Sequence, residues 1–358
     1  MKRSSKNKRL ISLVVWIVII ASIVSAPAIL PVFRLNLLGR YLSLAIVALG
    51  IDLIWGFAGL LSLGQGIFFA LGGYCAAMYL QLNSSAELPN AIPEFFGLYG
   101  VQNLPLFWEP FKSPIFTLIS IWLLPSLVAG LLGFLVFRNR IKGVYFSILT
   151  QAALLVFFNL FNGQQKLING TNGLKTDVTQ LFGQMVGSDS IQRWFFWITA
   201  LLVILAWFFA RWIVRDRFGN VLIAIRDDEP RIRFTGYNPT FFKTIVFSIA
   251  GGLAGISGAL YTVQSGIVSP QFMTVPFSIE MVIWVAVGGR GTLLGPILGA
   301  VIINYAKSLV SEALPASWMF IQGGLFIFVV TALPEGVLGW LQGNGPKNLL
   351  TRLGIKRP

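Results

Sequence analysis

Ten apolar runs, most of them near the length a helix needs to cross a bilayer, divide this chain. They fall at about 10–30, 37–56, 60–80, 114–137, 143–162, 194–214, 244–264, 277–289, 293–311 and 318–334. A hydrocarbon core of about 30 Å is spanned by about twenty apolar residues, and within it each segment must bond its own backbone groups. A chain of this pattern folds as a bundle of membrane helices. Its composition agrees, with 56% hydrophobic and only 11% charged residues, where soluble proteins carry about a quarter charged. The expected fold is an all-α integral membrane protein of about ten transmembrane helices. Residues 1–36 hold a basic N-terminus and first helix, 37–340 the transmembrane domain, and 341–358 a basic tail.

Charge sets the direction. The formal net charge is +14, and its placement explains it without nucleic acid. Lys2, Arg3, Lys6, Lys8 and Arg9 precede the first run; Arg138, Arg140 and Lys142 follow the fourth. Arg211, Arg215, Arg217, Arg226, Arg231, Arg233 and Lys243 surround the loop after the sixth, Arg290 follows the eighth, and Lys347, Arg352, Lys356 and Arg357 close the chain. Basic residues gather in cytoplasmic loops, so both termini and the loop at about 215–243 are expected inside. The stretches 81–113 and 163–193 are then outside. Ala26-Pro27-Ala28 after the first run imitates a cleaved signal, but the length of Leu10–Val24 and the awkward Pro27 favour a retained helix. The run at 277–289 is short for a crossing and is expected to be tilted, broken or re-entrant.

Several chemistries are excluded. There is no histidine, and Cys75 is the single cysteine. Intrachain disulfides, Cys/His zinc sites and histidine acid–base catalysis therefore have no residues to work with. No cofactor is called for. The membrane runs hold few ionisable residues, chief among them Asp52, Glu280 and Lys307, without an evident proton relay. Neutral polar residues are more numerous: Ser62, Gln65, Gln151, Asn159, Gln264 and Asn304. Amides donate and accept at once, which suits a path for a small, neutral, hydrogen-bonding solute; the same groups also serve as bonds between helices.

Glycine is concentrated in GFAGLLSLGQG (56–66), AGGLAGISGA (250–259) and GGRGTLLGPILGA (288–300). Small residues let helices approach closely and permit breaks where helix ends meet a substrate. Gly56, Gly59 and Gln65 recur at identical spacing as Gly255, Gly258 and Gln264. That match suggests an inverted repeat of spans two to five and seven to ten.

One charged stretch stands out, GNVLIAIRDDEPRIRFTGYNP (219–239). Val221, Leu222 and Ile225 share a helical face. Pro230 forbids a straight continuation, and Gly236 suits a C-terminal cap, so two short helices with an elbow are expected. Arg226, Asp227, Asp228 and Glu229 mix both signs. Mixed charge suits docking into another protein's cleft, where complementarity fixes register.

That segment resembles the cytoplasmic coupling loop of ABC importer permeases, in which a Glu is followed about seven residues later by Gly, here Glu229 and Gly236. Pro230-Arg231-Ile232 departs from the small residues usual after that Glu. GLLSLGQGIFFALGGY (59–74), NGTNGL (169–174) and WVAVGGRGTLLGPILGA (284–300) are similar to permeases of the branched-chain amino acid uptake group, over about residues 37–340. VGGRGTLLGP and Gln65 look most like the permease subunit of urea importers. The resemblance implies a bacterial inner-membrane permease with a second homologous permease subunit, two cytoplasmic ATPases and an extracytoplasmic solute-binding protein as partners. The chain contains no G-x-x-x-x-G-K-[ST] phosphate loop, so any ATP hydrolysis belongs to a partner. A branched-chain amino acid or short-amide permease is the neighbouring reading. An ion-coupled secondary transporter is the reading from another class, and an intramembrane enzyme has no convincing residues.

Overall fold

The computed structural model describes residues 29–85, 92–141, 143–313, 318–332 and 336–338, with 26 and 27. The first apolar run up to residue 25 and the basic tail lie outside them. Helix α1 (Val32–Asp52) continues into a π turn, Leu53–Phe57. It is followed by α2 (Gln65–Ser84), α3 (Pro114–Arg138), α4 (Val144–Gly163) and α5 (Asp189–Arg215). The charged stretch forms α6 (Arg217–Asp227) and α7 (Glu229–Phe234). Then come α8 (Pro239–Ser265), α9 (Val275–Gly288), α10 (Leu294–Ala313) and α11 (Trp318–Ala332). Among the described residues, six helices are long and apolar enough to cross a membrane: α1 with its π turn, α3, α4, α5, α8 and α10. The chain is thus a mostly helical membrane protein. Two small ladders were not expected from an all-α pattern. Strands β1 (Leu174–Lys175) and β4 (Ile267–Val268) pair antiparallel, as do β2 (Gln180–Leu181) and β3 (Gln184–Met185).

Backbone contact, not side-chain bulk, builds the centre. A Cβ on Gly72 of α2 would overlap the Gly255 carbonyl of α8, and one on Gly258 would overlap the Phe69 carbonyl. Glycine on both helices removes the spacer that would hold them apart. Pro125 within α3 has no N–H to offer the Ile121 carbonyl. Gly255 packs against that carbonyl and against Pro125. Around this crossing lie fully buried aromatics, including Phe68, Phe69, Phe146 and Phe247, with Phe247 edge-on to Phe68 and Phe146.

The packing is reciprocal. α8 lies on α3 and α2 as α1 lies on α10 and α9, and α2 meets α3 as α9 meets α10. α1 and α8 also pack on each other. This exchange of α1–α3 with α8–α10 is the arrangement of an inverted repeat. The sequence match proposed for it, however, is out of register. Gly255, Gly258 and Gln264 all lie within α8, whereas Gly56 sits in the π turn, Gly59 in the break after it, and Gln65 at the start of α2. Glycine spacing in a Gly-rich chain followed close packing on α8, not equivalence to the break.

Hydrogen bonds sort the loops into two ends. At one end, Arg226 of α6 reaches Gly56, and Thr240 bonds the Phe137 carbonyl at the end of α3. At the opposite end, Gln81 of α2 bonds the Lys175 carbonyl, and Thr176 N–H bonds the Gly266 carbonyl at 2.8 Å. Among the described residues, the loops at 138–141, 215–239 and 289–293 share the first end, and those after α2, α4 and α8 share the other.

Candidate functional site

Two helices begin inside the bundle. The chain leaves α1 through the π turn, turns back at Gly59 (φ +72°), and returns to the interior before α2 starts at Gln65. From the other end, α8 stops at Gly266 (φ +81°), and the chain turns inward through a short 3-10 piece, Pro270–Met273, before α9 starts at Val275. The two starts meet: Gly66 N–H donates to Ser278 Oγ at 3.3 Å. The Phe272 carbonyl is so close that a Cβ on Gly66 would overlap it, and Leu154, midway along α4, packs beside it. From this point α2 and α9 run towards opposite ends, so both direct the positive ends of their dipoles at one place.

An interrupted helix leaves backbone groups to satisfy, and α4 supplies partners. Ser147 Oγ donates to the Leu61 carbonyl at 2.6 Å, and Leu63 N–H donates to Thr150 Oγ1 at 3.1 Å. Ser62 is buried and accepts from Gly64 N–H at 3.3 Å. Gln65 is 1% exposed, yet neither its Oε1 nor its Nε2 has a hydrogen-bond partner among the described residues. Buried polar atoms are nearly always paired. A lone amide where two helix starts meet can bind a solute that both donates and accepts.

The other residues expected on a path are elsewhere. Gln264, near the far end of α8, donates from Nε2 to Thr199 Oγ1 at 2.6 Å. Asn304 donates to the Ala300 carbonyl of its own helix, and exposed Asn159 to the Leu155 carbonyl of its own. Gln151 is half-buried on α4. Of the six, only Ser62 and Gln65 reach the junction. Ser147, Thr150 and Ser278 join them and were missed, because a helical Ser or Thr looks unremarkable in sequence. Their one legible trace is the i, i+3 spacing of Ser147 and Thr150, which places both on one face of α4.

The ionisable residues are engaged. Asp52 is fully buried and accepts from the backbone N–H of Gly291 and Leu293, the latter at 3.0 Å. Lys307 donates to both Glu280 oxygens at 2.7 and 2.8 Å.

The charged stretch folds as an elbow. Asp228 accepts from Arg231 N–H at 3.1 Å and caps α7, where Pro230 fills the first turn at no cost in hydrogen bonds. Gly236 takes φ +89° just past the helix. Glu229 turns inward. It accepts from Arg233 and from the buried Lys243 of α8, each at 2.7 Å, and its side chain is 11% exposed. Asp227, Arg231 and Phe234 are exposed instead. Burial alone would raise the Glu229 pKa; the hydrogen bonds and charges of Lys243 and Arg233 outweigh it and leave the group below its ordinary value. A lowered folded pKa stabilises at all pH above the ordinary carboxylate value of about 4.3, and that contribution fades as pH falls through the lowered one. Glu229→Gln is therefore expected to lose about 3 kcal/mol near neutral pH, because Lys243 keeps a buried charge without its counter-ion. Thermal unfolding of the purified protein should show the deficit at pH 7 and a shrinking one below about pH 4.

A neutral polar junction of two interrupted helices, inside a bundle with membrane-length helices, defines a membrane transport protein. The comparisons place it more closely. Residues 33–330 match the family described as branched-chain amino acid transport system / permease component, and the chain belongs to that family. It is a permease subunit of an ABC transporter, not itself an enzyme, and membership implies ATPase and binding-protein partners. It is 29% identical over 315 residues to the high-affinity branched-chain amino acid permease LivM of Salmonella typhimurium, covering 82% of this chain and 67% of the relative. It is 23% identical over 332 residues to a probable LivM of Methanocaldococcus jannaschii, covering 82% and 89%. It is 23% identical over 241 residues to the ribose import permease RbsC of Haemophilus influenzae, covering 64% and 71%. No solved structure gave a significant match.

Proposed function

We propose that this permease carries urea, or a solute of the same small, neutral, amide-like chemistry, inward across the bacterial inner membrane. The observation behind it is the Gln65 amide, without a hydrogen-bond partner among the described residues, at the meeting of α2 and α9. Urea offers a carbonyl acceptor and several N–H donors, which match a glutamine's donor and acceptor. Ser62, Thr150 and Ser278 add hydroxyls and no charge. A branched-chain amino acid is the second reading. It is favoured by the names of the LivM relatives and by two helix starts that suit a carboxylate. An ion-coupled carrier is disfavoured, since Glu280 is tied to Lys307 and Asp52 to backbone N–H groups.

The chain works beside a second homologous permease, on two cytoplasmic ATPases and under an extracytoplasmic binding protein. The deciding experiment expresses it with its candidate partner subunits and compares ATP-dependent uptake of urea, acetamide and leucine. Urea uptake blocked by loss of the ATPase supports the assignment; leucine uptake without urea uptake replaces it.

On this reading both termini and the loop at 215–243 lie in the cytoplasm, as the basic residues around them favour. In a Cys75→Ser background, cysteines at Asn83 and Gln184 are expected to react with an impermeant thiol reagent in intact cells. One at Asn220 should react only after the membrane is opened. External reaction at Asn220 would put the charged elbow beyond any cytoplasmic ATPase.

A further inference from the structure

One side chain of the elbow reaches the π turn and the break that lead into the junction. Arg226, in the last turn of α6, donates from a terminal nitrogen to the Gly56 carbonyl at 2.7 Å. Gly56 lies in the π turn that ends α1, nine residues before Gln65. The Arg226 stem lies against Gly59, where a Cβ would come within 2.6 Å of Cγ. Gly59 is the positive-φ turn that sends the chain back into the bundle. Arg226 therefore holds the interrupted segment at two points, a carbonyl and a bend. The far side of Gly56 rests against Gly291, whose N–H bonds Asp52, so the π turn is gripped between the charged elbow and the loop that starts α10.

π turns are rare and gather at functional sites, because their wide ring is held only by surrounding structure. A guanidinium–carbonyl bond is charge-assisted and stronger than a neutral one. Beyond Gly59 the break has borrowed bonds, to Ser147 and Thr150, in place of a helical ladder. A displacement of α6 therefore bears first on this segment, whose next fixed points before Gln65 are the two α4 hydroxyls. We propose that Arg226 is a positioning residue that transmits movement of the charged elbow to the α1–α2 break and so to the Gln65 junction. The inference rests on the permease role and not on urea as the solute.

The test uses the complete complex in proteoliposomes, with a reporter cysteine at Leu63 in a Cys75→Ser background. Leu63 lies in the break, is half-buried, and bonds only through its backbone. Its reaction with a small thiol reagent is compared without nucleotide and with ATP and vanadate. Arg226→Met keeps the stem on Gly59 and removes the donors; Arg226→Lys restores one. Labelling is expected to differ between the two nucleotide states in the parent and to lose that difference in Arg226→Met, while assembly and ATP hydrolysis persist. Solute uptake per ATP hydrolysed should fall about tenfold, the scale of one charge-assisted hydrogen bond, and recover in part in Arg226→Lys. Parent-like labelling and uptake in Arg226→Met would overturn the proposal. So would loss of assembly in both variants, which would make the contact a folding element only. The labelling needs no transported solute, so its failure is distinguishable from a wrong choice of solute.

Discussion

Gly72→Leu is expected to abolish accumulation of this protein in the membrane. A Cβ at position 72 would overlap the Gly255 carbonyl of α8, and backbone cannot move aside as a side chain can. The neighbouring contact repeats the constraint from the other helix, with Gly258 against the Phe69 carbonyl. A leucine would force α2 and α8 apart along the crossing that also carries α3 through Pro125 and Gly255. Overpacking alone costs about 1–3 kcal/mol. Here the loss of close helix packing adds to it, and such packing is a main source of helix association in a bilayer. Gly163→Leu is the control, since nothing lies within 4 Å of the added Cβ. Membrane abundance and size-exclusion profile in detergent should be near normal for position 163 and lost for position 72. A monodisperse Gly72→Leu protein at normal levels would refute the crossing.

The second large effect separates function from folding. Gln65→Ala is expected to lower uptake per complex by about thirtyfold, the loss of about 2 kcal/mol from one donor and one acceptor contact with the solute. Abundance should stay level or rise. The Gln65 amide makes no hydrogen bond within the described residues, and an unpaired buried polar group costs about 1–3 kcal/mol that alanine does not carry. The pair of measurements is informative because the two roles predict opposite signs. Were Gln65 a strut between helices, abundance would fall while each surviving complex transported normally.

How far the site was legible can be traced residue by residue. The elbow at 219–239 was, since Pro230 and Gly236 act on the backbone locally and the α6 face of Leu222 and Ile225 follows a fixed period. The role of Glu229 within it was not. A carboxylate beside arginines reads as an exposed docking group, and only the approach of α8 turns it onto Lys243. Gln65 was singled out as polar within an apolar run, but so were Gln264, Asn304 and Asn159, whose amide NH2 groups bond within the protein, although Gln264 Oε1 has no partner among the described residues. Composition cannot tell a paired amide from a lone one, because the partner is a neighbour in space.

The apolar runs and the loop charges determined by themselves that this is a multi-span helical membrane protein. Run length against bilayer thickness is a local quantity that needs no partner. Glycine clusters likewise announced close helix contact without saying which helices touch. Tertiary structure decided the rest: that α2 and α9 begin at one shared point, that Ser147, Thr150 and Ser278 support it, and that Arg226 reaches Gly56 across 170 residues of sequence. Each of these is a long-range hydrogen bond to an interrupted backbone. Where a helix stops inside a bundle is set by what can satisfy its freed N–H and C=O groups, and those partners come from helices distant in the chain.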